Sequence, residues 1–308
     1  MKTVHKPDYV KAVSSIFLEK YEKRNSKPAT GVLFNKYLTL LNRRLFSTFR
    51  RDVMMLPHCW YRWGDEVVRY YLPYIDWNHD DLTVTTVTFN DRRLSHNELS
   101  DVLTDEAATF ADEFIAEYSG DEGFERAIDE VYSEAPYPFQ NEYRKLRESL
   151  RISRSRPQIS NYYDYVRDSL FEPAMKTFPS TFKNLTAQKN EFTAVFELAL
   201  ESKVSPDELY ELDETFWFFF CYHLRLDRRC HFNVRKETLA FWEEVLPIET
   251  GRFEKSMQNY AWKYSNGRIN PPSDPTICQL TEDRKKRVNE VNTLLAELND
   301  DSFNYGGN

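Results

Sequence analysis

The sequence predicts a mainly α-helical protein, in which a small N-terminal α+β, winged-helix-like unit is followed by a helical bundle. Only 8 glycines and 29% charged residues favour helices over a turn-rich β fold. Apolar residues recur at spacings of three and four along most of the chain. The strongly β-branched run at residues 82–89 instead alternates apolar residues with threonine, as a half-buried strand does.

Two predicted helices open the chain. Residues 8–24 place apolar side chains on one side at helical spacing, and the proline-containing break NSKPAT follows. Thr30 has the side chain of an N-cap residue, so we expect the second helix to begin at about Gly31 and to run to Arg50. The apolar stripe of this helix predicts that one face is buried.

Residues 56–74 form an aromatic turn after the second helix. The stretch LPHCWYRWGDEVVRYYLPY holds two tryptophans and four tyrosines around Gly64. So much rigid aromatic surface predicts the packed turn of a small domain, with at least one tryptophan buried and Gly64 at a positive φ. We expect short strands over Val67–Leu72 and Leu82–Phe89.

From Ser95 onward the pattern is helical. Pro157 marks a predicted boundary between an N-terminal domain at 1–156 and a C-terminal helical domain at 157–300, with a disordered tail at 301–308. The predicted helices of this part cover about residues 99–118, 139–156, 160–171, 187–203, 206–226, 235–246, 250–264 and 281–299.

The net charge of −8 hides a strong asymmetry along the chain. Residues 1–51 carry 12 Lys/Arg and 3 Asp/Glu, a balance of +9, whereas residues 98–134 carry 13 Asp/Glu and one arginine. A basic segment of this kind is typical of a nucleic-acid face. It is equally consistent with two segments that attract each other within the fold, and we expect the basic helix to lie against the acidic residues.

One face of the second helix is basic. Because they are seven residues apart, Lys36, Arg43 and Arg50 align along it, with Arg44 and Arg51 beside them. An open stripe of this kind would approach phosphates, so a DNA-binding regulator is one alternative function. The competing interpretation is an ordinary charged helix face.

The composition indicates a soluble cytoplasmic protein. Four sparse cysteines without CxxC spacing suit free thiols in a reducing compartment. We recognise no signal peptide, and no apolar run approaches the roughly 18 residues that span a bilayer. The chain lacks GxGxxG, P-loop, GxSxG and HExxH motifs, so we predict no cofactor and no metal site.

One pair of residues suggests an enzyme. Arg225 and His231 have five residues between them, and helical ribonucleases of the HEPN class use an arginine followed a few residues later by a histidine. A histidine can move the 2′-hydroxyl proton while an arginine holds the scissile phosphate. An HEPN-like ribonuclease using this pair is the second alternative function. The competing interpretation is a histidine at a helix end without a catalytic role.

The aromatic turn is also the candidate partner-binding patch. Trp, Tyr and Arg are enriched at the hot spots of protein interfaces, and the turn concentrates them in a few residues. The predicted patch consists of His58, Trp60, Tyr61, Arg62 and Trp63.

The segment 31–74 resembles known proteins. Its helix GVLFNKYLTLL and the later LPHCWYRWGDEVV are similar to a group of uncharacterised archaeal proteins and, more distantly, to the Panacea domain. Panacea members have a Leu-x-Lys-Leu-type helix and a later aromatic-Gly-Pro turn, and here Phe34-Asn35-Lys36-Tyr37 and Trp63-Gly64 occupy those places. The resemblance, which extends over residues 1–150, implies an antitoxin that neutralises a partner by direct contact. We therefore predict a non-enzymatic regulatory or protein-interaction protein with a protein partner.

Overall fold

The computed structural model describes residues 6–50, 52–79, 85–89, 102–155 and 160–265. It confirms a mainly α-helical protein with a small N-terminal α+β region. No helix within these ranges is long and apolar enough to cross a lipid bilayer. The α-helices are α1 Lys6–Asn25, α2 Gly31–Phe49, α3 Val102–Tyr118, α4 Asp121–Tyr132, α5 Pro138–Ser153, α6 Tyr162–Tyr165, α7 Glu172–Lys176, α8 Thr186–Glu201, α9 Pro206–Leu224 and α10 Lys236–Tyr264. The strands are β1 Ala29–Thr30, β2 His58–Tyr61, β3 Gly64–Val67, β4 Ile75–His79, β5 Thr85–Phe89 and β6 His231–Phe232.

Helix α2 is the central element of the N-terminal region. The side chain of Thr30 accepts a hydrogen bond from the backbone N–H of Leu33 at 3.2 Å, which confirms the predicted N-cap. The helix packs against α3, α4, β3 and β5. Because it is covered on several sides, it buries Asn35 and Lys36 as well as its apolar stripe.

Two antiparallel sheets flank α2, one in the order β1-β5-β4 and the other in the order β3-β2-β6. A two-residue turn joins β2 to β3, and Trp60 is paired with Asp65. The short strand β6 comes from the C-terminal half and pairs with the other edge of β2, where His58 lies opposite Phe232.

The prediction of a strand at Val67–Leu72 is wrong for every residue after Val67. The β3 strand ends at Val67, and a 3₁₀ turn at Arg69–Tyr71 follows. The backbone N–H of Val68 donates to Pro57 at 3.0 Å, and Pro57 has no N–H with which to continue the ladder. Strand β4 was not predicted from the sequence. The second predicted strand is confirmed over residues 85–89, which form β5.

The helices predicted at 235–246 and 250–264 form one helix, α10, with Pro247 inside it. Pro247 is exposed, so the backbone bond that its ring removes lies on the solvent side, while α8 and α9 hold the helix from the other side. A π-helical segment, Val166–Phe171, joins α6 to α7. The helix predicted at 281–299 and the tail at 301–308 lie outside the described residues.

One hydrophobic core runs through both halves of the chain. Its C-terminal part is largely aromatic: Phe192 and Phe216 stack with ring centroids 4.1 Å apart, and Tyr143 stacks on Trp217 at 5.4 Å. The predicted domain boundary at Pro157 lies outside the described residues. The elements on either side of it share this core and the β2–β6 pairing.

Gly64 occupies the position in the hairpin that the sequence predicts to be special. Its φ is +93°, a conformation that residues with a Cβ rarely adopt. A Cβ added there would lie 2.8 Å from Cε2 of the buried ring of Tyr132. Both the backbone and the packing against α4 therefore require glycine.

We expect Gly64→Val to lower the free energy of unfolding by about 3 kcal/mol, because strain at positive φ and the clash with Tyr132 add together. The control is Gly251→Ala in α10, where an added Cβ meets nothing within 4 Å. That change should leave stability unchanged or raise it by about 1 kcal/mol through helix propensity. Chemical denaturation measures both variants, and wild-type stability in Gly64→Val would contradict the special role of this glycine.

Candidate functional site

The five residues of the predicted partner-binding patch do not form one open surface. Because side chains alternate along a strand, His58 and Trp60 face one side of β2 while Tyr61 faces the other. Trp60 is buried and meets Tyr132 edge-on at 5.5 Å between ring centroids, which confirms that one tryptophan closes the core.

The remaining members of that patch fasten the hairpin to helix α9. The guanidinium of Arg62 lies 3.7 Å from the centroid of the Phe218 ring and 2.5 Å from a carboxylate oxygen of Glu214. The indole N–H of Trp217 donates to the carbonyl of Arg62 at 2.9 Å. Tyr61 and Trp63 are half-buried. Tyr61 meets Tyr222 of α9 edge-on at 6.0 Å between ring centroids, and Trp63 lies 5.9 Å from the guanidinium of Arg147 on α5. The sequence assigned these residues to a protein partner, whereas the structure packs Tyr61 and Arg62 against α9 of the same chain.

The basic stripe of α2 is covered, as expected, by acidic helices. Arg44 forms ion pairs with Glu106, at 2.6 Å, and with Glu113. Lys20 on α1 binds Asp112 at 2.6 Å. The internal explanation of the charge asymmetry is therefore confirmed for these residues.

Lys36 and Arg43 are not available to nucleic acid, so their assignment to a phosphate-binding stripe is wrong. Lys36 is fully buried, and its ammonium donates to the carbonyl of Asp65 at 2.9 Å. Burial lowers the pKa of Lys36 to about 8, against the opposing charges of Glu66 and Asp65. Arg43 donates to the carbonyls of Glu130 and Val131, where α4 ends, and pairs with Glu134 at 3.1 Å.

Only Arg50 of the described stripe residues remains exposed. It is the C-cap of α2, at a φ of +54°. Arg51, the fifth predicted member of the stripe, lies outside the described residues.

The proposed catalytic pair has two different environments. The guanidinium of Arg225 packs over the rings of Tyr61, Tyr222 and Trp242 at 4.6–5.3 Å from their centroids. His231 lies in β6, where burial lowers its pKa and the charges that act on it are those of Asp227 and Arg228. The surroundings of Arg225 are therefore those of a residue that packs on aromatic rings. His231 lies in a strand and not at the end of a helix, where the competing interpretation expected it.

A buried carboxylate connects the hairpin to α2 and α4. Asp65 accepts from Nδ1 of His58 at 2.6 Å and lies 3.9 Å from Nη2 of Arg43. The two-residue turn places His58 and Asp65 on the same face of the hairpin, which explains their contact. Burial of the Asp65 carboxyl opposes its ionisation, but His58, Arg43 and Lys36 outweigh burial and hold its pKa below the usual value. We call these four residues the Asp65 cluster.

A cleft of about 1100 Å³ opens over the Asp65 cluster. Its walls come from α2, the segment before β2, the hairpin, the end of α4 and the β6 loop. The charged groups in these walls are Arg43, Arg50, Asp52, His58, Asp65, Glu134, Arg229 and His231, and the aromatic ones include Phe46, Trp60 and Phe232.

The sequence did not predict this cleft, but five residues that it singled out for other roles line it: Arg43, Arg50, His58, Trp60 and His231. It did not single out Asp65, Arg229 or Phe46 as site residues. A usable signal existed for Asp65: reading RW as a two-residue hairpin turn puts position 65 beside position 58 on one face. Arg229 carried no signal, because it reaches the cleft only through the β2–β6 pairing.

The cleft combines exposed apolar and charged side chains with one hydrogen-bonded pair, His58 and Asp65, whose arrangement is compatible with acid–base catalysis. His58 is oriented by a buried carboxylate, the arrangement that holds a general base in position. Within the described ranges, no three His, Cys, Asp or Glu side chains come together as metal ligands would. Comparison with protein-family models, curated proteins and solved structures returned no significant match.

We expect Asp65→Asn to lower the free energy of unfolding at pH 7 by about 3 kcal/mol, because it leaves Arg43 and His58 without their buried partner. Since the folded pKa of Asp65 is depressed, the stability that this residue contributes is present above about pH 4 and is lost as the pH falls further. The stability curves of the variant and the wild type should therefore converge in acid.

Asp112→Asn is the matched control for Asp65, because it breaks a surface ion pair with Lys20 whose carboxylate is 64% exposed. It should cost less than about 1 kcal/mol. Denaturant titrations across the acid range measure both variants. Equal losses in the two would show that Asp65 is an ordinary surface partner.

The covered stripe predicts opposite outcomes for two arginines of α2. Arg43→Glu should lower the free energy of unfolding by about 3 kcal/mol, since the new carboxylate faces Asp65 and Glu134. Arg50→Glu should change it by less than about 0.5 kcal/mol, because Arg50 is exposed. Thermal and denaturant melts distinguish them, and an Arg43→Glu protein as stable as wild type would contradict the covered stripe.

Proposed function

We propose that this chain is a non-enzymatic, regulatory protein-interaction protein and that the cleft over the Asp65 cluster is its docking surface. One observation carries the proposal: exposed apolar side chains surround the cleft. Phe46 is 54% exposed and Phe232 is 44% exposed, and both line it. Met55, beside the lining residue Leu56, is 40% exposed. Aromatic residues, Met and Arg are the residue types enriched in protein interfaces.

Charge and sequence resemblance support the same proposal. Arg43 and Arg44 are paired with carboxylates, whereas at the cleft mouth exposed apolar side chains occur beside Arg50 and Arg229, which form no ion pair within the described residues. The resemblance of 31–74 to the Panacea domain concerns the segment that forms much of the cleft, and it implies an antitoxin-type protein partner. We therefore propose a protein partner rather than a substrate.

The alternative is a ribonuclease. The His58–Asp65 pair favours a catalytic base in the cleft, in addition to the HEPN-like pair Arg225 and His231. A purified protein that cleaves RNA, and loses this activity in His58→Ala or His231→Ala, would replace the proposed function. We expect no such activity.

A pull-down with quantitative mass spectrometry tests the docking surface. The tagged protein should recover a partner in near-stoichiometric amount from an extract of its source cells, and Phe46→Glu should abolish the recovery because it places a charge at the mouth of the cleft. Ile248→Glu is the matched control, since Ile248 is 47% exposed on α10 and is not part of the cleft. Both variants should melt as the wild type does.

Recovery that is equal with Phe46→Glu and Ile248→Glu would place the interaction elsewhere on the protein. Failure to recover any partner with the wild type would contradict the interaction role itself.

A further inference from the structure

Helix α10 carries an apolar stripe that the described elements leave partly open. Phe241, Val245 and Ile248 recur at spacings of four and three, so they lie on one side of the helix. Phe253 and Met257, on another side, are buried where α10 packs against α8 and α9. Phe241 and Val245 are only half-buried, and Ile248 is 47% exposed. An apolar stripe along a helix is the surface that normally packs against another element.

The charges of α10 are divided between its two halves. Residues 236–250 carry four glutamates and one lysine, whereas residues 251–264 carry three cations and one glutamate. Glu237, Glu243 and Glu244 are exposed and form no ion pair within the described residues. An occupant of the stripe is therefore expected to be basic beside the first half of α10 and acidic beside the second.

One segment of this chain has the complementary pattern. The sequence predicts a helix at 281–299, outside the described residues, and its apolar positions Val288, Val291, Leu295 and Leu298 follow at spacings of three, four and three. The first seven residues of the segment carry four cations and two carboxylates, and the remaining twelve carry two glutamates and no cation. The segment thus matches α10 both in apolar spacing and in the direction of its charge.

The connection is long enough to bring the segment to the first half of α10. Helix α10 ends at Tyr264, and placing residue 281 beside Thr238 requires the chain to return about 39 Å along the helix axis, at 1.5 Å per residue. The 15 residues at 266–280 include three prolines. In an extended conformation they span about 46 Å, at 3.1 Å per residue.

We propose that residues 281–299 dock as a helix on the apolar stripe of α10 and run parallel to it. The shared spacing of three places Val288 beside Val245 and Val291 beside Ile248. The occupant of this surface is thus a segment of the same chain. None of the residues of α10 lines the cleft, so the proposal does not depend on the proposed function.

Charge selects the parallel direction. In this register Arg287 lies beside Glu244, and the basic cluster 284–287 adjoins the acidic half of α10. The antiparallel direction would bring the same cluster to the half in which cations outnumber glutamates three to one. Like charges would then face each other along the interface, which opposes docking.

Hydrogen–deuterium exchange of the full-length protein, measured by mass spectrometry, tests the docking. Amides of residues 288–299 should exchange about a hundredfold more slowly than those of a free synthetic peptide of residues 281–300, because the burial of two aliphatic side chains is worth roughly tenfold each. Ile248→Glu should remove most of this protection. The control is Phe46→Glu, which places the same charge in the cleft and should leave the protection unchanged.

A charge exchange tests the direction. Arg287→Glu should reduce the protection of residues 288–299 by about threefold, since it replaces an attraction to Glu244 by a repulsion. Glu244→Arg in the same chain should restore the protection. A double variant that is no better protected than Arg287→Glu alone would contradict the parallel register.

Two further outcomes would overturn the docking itself. One is exchange in residues 288–299 as fast as in the free peptide, and the other is protection that survives Ile248→Glu. The measurement is repeated at low and high protein concentration, because docking within one chain gives the same protection at both. Protection that grows with concentration would assign the stripe to a second copy of the chain. The pull-down depends on Phe46 and not on Ile248, so the two proposals fail separately.

Discussion

The buried carboxylate of Asp65 is the interaction on which the N-terminal region depends. It joins the β2–β3 hairpin, through His58, to α2 and to the end of α4, through Arg43. Taking a charge out of water costs several kcal/mol unless partners replace the hydration, so none of these elements can move away without leaving a buried group unpaired. The floor of the cleft is fixed for that reason, whereas loops form its rim.

Ion pairs within the fold determine which charged groups of the surface remain available to other molecules. The basic helices α1 and α2 and the acidic helices α3 and α4 neutralise each other through pairs such as Lys20–Asp112 and Arg44–Glu106. A segment whose composition suggests a nucleic-acid face therefore uses part of its positive charge, at Lys20, Arg43 and Arg44, in ion pairs within the fold.

The sequence predicted what depends on local order and missed what depends on register. Helix positions and the Thr30 cap follow from spacing and capping chemistry, and Gly64 follows from the need for a positive φ. The burial of Lys36 could not be read in the same way, because it depends on the hairpin that lies across α2. The cleft combines residues about 180 positions apart, such as Asp52 and Asn233, whose bond no local pattern encodes.

The pairing of β6 with β2 has a consequence for how the protein is made. During synthesis the hairpin leaves the ribosome long before residues 231–232, which complete its sheet. Until then one edge of β2 has open hydrogen-bonding groups, the kind of edge that recruits other strands and chaperones. The cleft also has no second wall at that stage. Its presence is thus a mark of complete folding, because a chain that ends before β6 lacks that wall.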